Sequence, residues 1–189
     1  MPRLIQPVVP AGSMAARRQP ILERDDLRLR TWRAEDATAV AEAYADPAIQ
    51  RWHARVMTPD EAAEWIAQWP RRWAEESGAG WAVARGGRVA GQISLRRINL
   101  ADGVAEISYW TLPAARGHGV AARSLAMVSE WSFADLGLHR LEVFHSTQNE
   151  PSCRVATKAG FPAEGTKRSE ALHPDGWHDM HMHARIAGD

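Results

Sequence analysis

The six residues 116–121, Arg-Gly-His-Gly-Val-Ala, have the types and spacing of a phosphate-binding turn. They stand between a strand-like run, Ala105 to Leu112, and an amphipathic run that opens at Val120. Two glycines at a strand-to-helix turn let the backbone approach a ligand and leave the first N–H groups of the helix free, beside the positive end of its dipole. Arg116 adds a charge that suits phosphate geometry. The turn therefore predicts a cofactor that carries a pyrophosphate.

The same turn matches a dinucleotide-binding pattern, so a second class of cofactor has to be weighed. Residues 117–122 read G-x-G-x-x-A, and Glu142 lies near the acidic position expected after such a motif. However, residues 113–116 separate the strand from the glycines, and only one short helix is predicted beyond the next strand. A Walker-type loop fails because no Lys-Ser/Thr pair follows the second glycine. A plain turn that binds nothing is the remaining alternative.

Composition limits the classes of protein. The 189 residues suffice for one domain with a full core, and 23 basic against 23 acidic residues, without a long basic run, argue against a nucleic-acid partner. Cys153 is the single cysteine, which argues against a disulfide framework or a cysteine-based metal site and fits a reducing cytoplasm. No apolar run is long enough to span a membrane. Residues 1–20 are interpreted as a disordered leader, a vector remnant or an upstream start, and residues 21–189 as the domain.

Periodicity and turn residues predict the elements. Thr58 to Glu61 has the form of a capping box with proline at the first helical position, and Gly86-Gly87 is typical of a two-residue hairpin turn. The order strand, helix, strand around the glycine turn implies a parallel pair with a right-handed crossover. We therefore predict an α/β domain with a mixed sheet. Helices are expected over 34–44, 58–76, 120–136 and 151–159, and strands near 27–32, 81–83, 89–95, 105–112, 138–145, 162–172 and 177–186.

Several short motifs carry a resemblance to a known family. Arg116-x-x-Gly119-x-Ala121 resembles the Q/R-x-x-G-x-G/A coenzyme A signature of the GNAT superfamily of N-acetyltransferases. Other segments are similar to its RimJ/RimL-like branch, the ribosomal-protein-alanine N-acetyltransferase-like enzymes. These are residues 27–30 (LRLR), 105–110 (AEISYW), 149–152 (NEPS), 158–161 (KAGF) and 175–179 (DGWHD). The resemblance covers about residues 22–186, and it is specific because the motifs occur together in the right order.

The resemblance implies a single GNAT-like domain. Its mixed, twisted sheet would have about seven strands, an antiparallel N-terminal part and a central parallel pair that splays apart, with helices on both faces. The implied activity is direct transfer of an acetyl group from acetyl-CoA, the co-substrate, to a primary amine, with no metal. A protein N-terminus, a lysine, a polyamine or an antibiotic amine all fit as acceptor, and a homodimer is compatible with the pattern.

The resemblance also implies where the cofactor binds. Backbone groups of Trp110, Thr111 and Leu112 would hold the pantetheine arm, and Asn149 would bond that arm or cap the next helix. The N–H groups of the glycine turn would hold the pyrophosphate. The implied residues of this turn are Arg116, Gly117, His118, Gly119, Val120 and Ala121.

Two residues are implied as catalytic. The position of the tyrosine acid found in many relatives is Ala156, so Ser152 is the implied substitute, with its hydroxyl donating to the leaving sulfur. The alternative is that Ser152 is only a polar residue of the first helical turn. Glu106 shares a strand face with Ser108 and Trp110 and is interpreted as the base that takes the amine proton, or else as a strand carboxylate facing solvent.

Aromatic residues suggest an acceptor pocket. Trp65, Trp69 and Trp73 recur on one side of the predicted helix from Thr58, and Trp52 lies just upstream. Core packing is the simpler interpretation of such a stripe. Alternatively, Trp52, Trp65 and Trp69 bind the acceptor ammonium by cation–π contact, and at least one borders a cleft facing Glu106.

Other residues are not expected to carry chemistry. His178, His181 and His183 lack a carboxylate or cysteine at a fixed spacing, so solvated or hydrogen-bonded histidines are expected rather than a metal site. Cys153 has no evident activating partner and is interpreted as a bystander. Besides the acyltransferase, two functions stay open: a silent acyl-CoA-binding module, because the usual tyrosine is missing, and an NAD(P)-dependent oxidoreductase.

Overall fold

The alternating apolar runs of the sequence form an eight-stranded sheet in the computed structural model, which describes residues 4–189. The strands are β1 (Leu22–Arg24), β2 (Leu27–Arg30), β3 (Gly78–Arg85), β4 (Arg88–Asn99), β5 (Val104–Thr111), β6 (Arg140–Ser146), β7 (Ala163–His173) and β8 (Gly176–Ile186). Their order in the sheet is β1-β2-β3-β4-β5-β6-β8-β7. The strand that raises the number above the expected seven is β1, which is too short to show a periodic pattern.

Two layers of helices cover the sheet. The helices are α1 (Ala37–Ala45), α2 (Pro47–His53), α3 (Pro59–Ala67), α4 (Trp69–Ala74), α5 (Val120–Trp131) and α6 (Glu150–Lys158). On one face, Leu125 of α5 and Ala156 of α6 join Ile107 and Val143 in the main core. On the other face, α1, α2 and α3 form a second cluster around Trp110. The prediction of helices on both faces is confirmed.

All neighbouring strands pair antiparallel except β5 and β6, which are parallel. Their pairing ends at Ile107 and Val143, although β5 continues to Thr111 and β6 to Ser146. Beyond that point β5 still pairs with β4, and β6 with β8. The predicted splayed pair is therefore present, and the sheet opens between the ends of β5 and β6.

The N-terminal segment differs from the sequence prediction. Val9 and Met14 are buried in the main core. The Glu76 carboxylate accepts hydrogen bonds from the backbone N–H groups of Gly12 and Met14, each at 2.6 Å. The expectation of a disordered leader is wrong for residues 8–20, because two apolar side chains and a fixed carboxylate hold this segment on the domain.

The helices differ from the sequence prediction in two places, where a proline and an aspartate decide the local structure. The capping box at Thr58 is present, with Glu61 N donating to Thr58 Oγ1 at 3.2 Å. The predicted helix over 58–76 is nevertheless broken into α3 and α4 around Pro70, which lacks an N–H and crowds the preceding turn. The short helix α2 was not predicted; Asp46 caps it, since its Oδ1 accepts a hydrogen bond from Ile49 N at 3.0 Å.

In the described part of the chain, no helix is both long and apolar enough to cross a membrane.

Candidate active site

The opening between β5 and β6 continues into a cleft of about 580 Å³. The cleft runs from the end of β5 to the start of α5, and the first turns of α6 form its other wall. Residues that line it include Trp110, Thr111, Arg116, Gly117, Gly119, Val120, Ala121, Asn149 and Ser152. Most of the residues implied for the cofactor are thus brought together along one groove.

Hydrogen bonding decides which backbone groups of β5 face this groove. Leu112 N donates to Ala90 O at 2.9 Å, so this N–H points toward β4. Because backbone groups of an antiparallel pair alternate in direction, those of Trp110 also point toward β4, and those of Tyr109 and Thr111 point toward the opening. The prediction of free backbone groups on Trp110 and Leu112 is therefore wrong, and Tyr109 was missed. Trp110 lines the groove, although its ring packs in the cluster formed by α1, α2 and α3.

The glycine turn has the geometry that the sequence suggested. Gly117 and Gly119 have φ of +81° and +69°, and Gly119 is the N-cap of α5. A side chain added at Gly119 would meet only Arg123 Nε at 3.9 Å, so space there is open to a ligand. The helix start leaves the first N–H groups without intrahelical acceptors. His118 is exposed and is not among the lining residues of the groove.

Positive charge surrounds this turn, although part of it is paired. Arg116 Nη2 lies 2.6 Å from Asp46 Oδ1, and Arg116 Nε donates to Thr111 O at 3.2 Å, so the side chain ties the turn to α2 and β5. Arg154 and Lys158 of α6 also line the groove. These two cations were not predicted, since only the approach of α6 to α5 places them beside the turn.

Ser152 has a partner that the sequence did not suggest. Its Oγ lies 2.8 Å from the hydroxyl of Tyr109, and either oxygen can donate. Burial raises the pKa of Tyr109 to about 12, so its hydroxyl keeps its proton at neutral pH. Asn149 Oδ1 accepts a hydrogen bond from Ser152 N at 3.2 Å, so Asn149 caps α6, which is one of the two roles expected of it. A tyrosine hydroxyl is therefore present at the site, supplied by β5 instead of α6.

A second cleft, of about 700 Å³, lies on the opposite side of β5 from the main core. Glu106 lines it, and its Oε1 lies 2.7 Å from Arg97 Nη1 while its Oε2 lies 3.9 Å from Arg96 Nη2. At least one tryptophan was expected at the cleft that faces Glu106, and binding of the acceptor by these rings stays a prediction. The three residues predicted there, Trp52, Trp65 and Trp69, all line this cleft.

The tryptophan stripe also packs as a core. Trp73 is buried, and its Nε1 donates to Arg17 O at 2.8 Å. Trp69 lies flat on the sheet, since a side chain added at Gly80 would meet its ring at 2.4 Å. Trp65 packs edge-on against the rings of Trp32 and Trp69, with ring centroids 5.2 Å apart in each pair. Trp65 is thus partly buried but still reaches the cleft.

The two clefts meet at Trp52 and His53, which line both. These residues also line a small cavity of about 70 Å³ between the diverging strands, with Ser108, Tyr109 and Ser152. Burial, assisted by the charge of Arg96, lowers the pKa of His53 to about 4, so its ring is neutral at physiological pH. His53 was not predicted, because it belongs to the missed helix α2.

The three histidines of β8 make different contacts. His178 Nδ1 lies 2.8 Å from Ser146 Oγ and His183 Nδ1 donates to Phe161 O at 2.9 Å, so these two rings are hydrogen-bonded as expected, whereas Nδ1 of His181 has no hydrogen-bond partner among the described residues. His178 and His183 are buried, however, so neither is solvated. His181 and His183 lie with His145 and Cys153, as a group whose ligating atoms could hold a metal ion. The structure thus brings a cysteine to the histidines that sequence spacing did not connect.

Comparisons with known proteins add independent findings. A family profile described as acetyltransferase (GNAT) domain matches residues 26–162. The Bacillus subtilis protein named uncharacterized N-acetyltransferase YoaA is 29% identical over 153 residues, covering 79% of this chain and 86% of that protein. The Escherichia coli ribosomal-protein-serine acetyltransferase is 29% identical over 96 residues, covering 51% and 54%. The structure of Mycobacterium smegmatis RimJ in complex with CoA-disulfide superposes with a TM-score of 0.79 at 24% identity, covering 89% and 86%.

Proposed function

This chain belongs to the GNAT family of acetyltransferases, and from that premise we propose that it acetylates the α-amine at the N-terminus of a protein with acetyl-CoA as co-substrate. One observation carries the proposal. A groove that ends at a phosphate-binding turn and a second cleft rich in aromatic and charged residues meet between β5 and β6. An NAD(P)-dependent oxidoreductase is not supported, since the described sheet contains one parallel pair where a dinucleotide fold needs several.

In this proposal the groove holds the coenzyme. The free N–H groups of residues 117–121 donate hydrogen bonds to the pyrophosphate at the start of α5, and Arg116, Arg154 and Lys158 add positive charge around it. The backbone N–H and C=O groups of Tyr109 and Thr111, which point toward the opening, form hydrogen bonds with the pantetheine arm. The thioester then lies in the small cavity beside Ser152, where the two clefts join.

The residues around this cavity supply the proton transfers. The amine nitrogen forms a bond to the acetyl carbon, the carbon–sulfur bond breaks, and the thiolate needs a proton or a hydrogen bond. Ser152 donates its hydroxyl proton toward the sulfur, and Tyr109 donates to Ser152 Oγ, which turns the serine hydrogen away from Tyr109. The N-terminus of α6 adds a favourable dipole for the departing negative charge.

The second cleft, which we call the acceptor cleft, favours an α-amine. An N-terminal amine has a pKa near 7.7–8.0, against about 10.4 for lysine, so it is partly neutral at physiological pH and needs only a modest base. Glu106 is the base that we propose, acting directly or through water on the proton that the amine loses. The cleft is open to solvent and lined by polar and aromatic groups, which suits the end of a peptide. The E. coli relative, named for action on a ribosomal-protein serine, points to the same class of acceptor.

The proposal is tested by thiol release from acetyl-CoA over a panel of amines. The panel contains a peptide with a free N-terminus, the same peptide with a blocked N-terminus and a free lysine, a polyamine and an aminoglycoside. We expect turnover with the first peptide and none above background with the second. If only the small amines are acetylated, the acceptor is a small molecule and not a protein. If no amine of the panel gives thiol release, the chain is a silent acyl-CoA-binding module.

Tyr109→Phe is expected to lower kcat about tenfold with little change in the Kd of acetyl-CoA, because the ring is kept and only the hydroxyl that orients Ser152 is lost. Pre-steady-state and calorimetric measurements separate the two parameters. A merely structural role for Tyr109 predicts additive losses in the double variant with Ser152→Ala. The orienting role predicts that the double variant is no slower than Ser152→Ala alone.

Trp65→Leu is expected to raise the KM for the amine about two- to fivefold, since an indole face within reach of the ammonium contributes about 0.5–1 kcal/mol. Acetyl-CoA affinity should not change, because Trp65 lines only the acceptor cleft. Trp177→Leu, at an exposed tryptophan outside both clefts, is the matched control. An unchanged amine KM in a Trp65→Leu variant of normal thermal stability would reduce the stripe to core packing.

A further inference from the structure

We propose that His145, Cys153, His181 and His183 form a tetrahedral zinc site that is separate from the acetyl-transfer chemistry. Each of the four residues offers one ligand atom, and these atoms lie within 4.8 Å of one another. Three imidazole nitrogens and one thiolate are a ligand set that zinc binds in proteins. We call these four residues the zinc cluster.

Strand register and helix packing bring the zinc cluster together. His145 of β6 pairs directly with His181 of β8, and His183 follows two residues on, so the three rings lie on one face of the sheet. The rings of His145 and His183 are stacked with centroids 5.0 Å apart. Cys153, in the first half of α6, approaches from above, with its Sγ 3.8 Å from His183 Nε2. Three separate elements therefore converge on one point.

The outer hydrogen bonds of the rings fix which nitrogens are available. His183 Nδ1 donates to Phe161 O at 2.9 Å, and His145 Nδ1 donates to Ser146 O at 2.8 Å. In each neutral ring this leaves Nε2 with a lone pair instead of a proton. A histidine that donates to a backbone carbonyl through one nitrogen and binds metal through the other is the usual arrangement at zinc sites.

Unpartnered ring nitrogens provide the second observation. His145 is 4% exposed, and its Nε2 is buried with no hydrogen-bond partner among residues 4–189. The same holds for Nδ1 of His181. A thiol–imidazole hydrogen bond between Cys153 and His183 leaves both of these nitrogens unsatisfied, whereas buried polar atoms nearly always have partners. A metal ion at the centre of the cluster would satisfy them.

Zinc binding requires the four ligand atoms, which lie within 4.8 Å of one another, to draw closer together. With Zn–N of about 2.0–2.1 Å and Zn–S of about 2.3 Å, ligand atoms of a tetrahedral site are about 3.3–3.6 Å apart. The separation of 3.8 Å between Cys153 Sγ and His183 Nε2 needs only a small contraction. On binding, the Cys153 thiol loses its proton to solvent and no redox change occurs. The ion would join α6, which carries Ser152 and is capped by Asn149, to β6 and β8.

The test measures metal in the full-length chain after removal of any affinity tag and dialysis against zinc and then metal-free buffer. Elemental analysis is expected to give about one zinc per chain, falling below about a tenth in Cys153→Ala and in His145→Asn. His139→Asn, at an exposed histidine outside the cluster, should retain about one. Zinc should also raise the unfolding temperature of the wild-type chain and leave that of Cys153→Ala unchanged.

Cobalt gives a readout that does not depend on stable variants. The wild-type chain loaded with cobalt is expected to show the visible bands of tetrahedral cobalt and a thiolate-to-cobalt charge-transfer band. Zinc content near zero in the wild-type chain, or cobalt spectra without a thiolate band, would overturn the proposal. Equal zinc content in wild-type and Cys153→Ala chains would overturn it as well.

Discussion

Ser152→Ala is expected to lower kcat by about 10²–10⁴-fold while the Kd of acetyl-CoA stays close to the wild-type value. In the proposed mechanism this hydroxyl donates to the leaving sulfur, and Tyr109, whose hydroxyl lies 2.8 Å from Ser152 Oγ, holds it in place. Without it, the thiolate must leave with only the helix dipole and water to stabilise it. Rapid-quench measurements with saturating amine give kcat, and calorimetric titration gives the affinity.

Thr157→Ala is the matched control for this change, because Thr157 is an exposed hydroxyl residue on the same helix and lies outside the lining of both clefts. It should leave kcat unchanged. A wild-type kcat in Ser152→Ala would assign the proton to solvent or to another residue. A large loss of acetyl-CoA affinity alone would make Ser152 a binding residue.

Gly119→Val is expected to weaken acetyl-CoA binding at least tenfold, which corresponds to about 1.4 kcal/mol. Gly119 has φ of +69° at the start of α5, and the space beside it is open except for Arg123 Nε, 3.9 Å from an added Cβ. A branched side chain would occupy that space and disturb the N–H groups around it. The affinity is measured by calorimetry on variants that retain the wild-type circular dichroism spectrum.

Backbone strain at a positive φ must be separated from the loss of the phosphate site. Gly137→Val provides the comparison, since Gly137 has φ of +83° and lies beyond the C-terminal end of α5, away from the groove. It should lower thermal stability but leave acetyl-CoA affinity unchanged. If Gly119→Val folds and binds acetyl-CoA as tightly as the wild type, the turn does not hold the coenzyme.

Local sequence signals predicted the parts of the site that depend on backbone conformation. The two glycines, the capping residue Asn149 and the capping box at Thr58 each act within a few residues of themselves, so their types and spacing are sufficient. The parallel pair followed from the order of elements. The same signals misled where tertiary contacts decide, as at residues 8–20, where Val9 and Met14 find places in the core.

The residues that sequence analysis missed come together only in the folded chain. Tyr109 sits inside a recognised motif, but its contact with Ser152 depends on how α6 crosses the end of β5. His53 belongs to a short helix whose start at Asp46-Pro47 resembles a break. Cys153 and the three histidines lie on three elements without a metal-binding spacing, so only strand register and helix packing connect them.

Direct transfer at the junction of the two clefts is tested most closely by the mass of every species after a single turnover. Enzyme in excess is mixed with acetyl-CoA, with and without a peptide that has a free N-terminus, and quenched within the first turnover. We expect one acetyl group on the α-amine of the peptide and none on the enzyme at any time. An acetyl group on Cys153 or Ser152 that precedes the product, or an unmodified peptide beside intact acetyl-CoA, would contradict direct transfer.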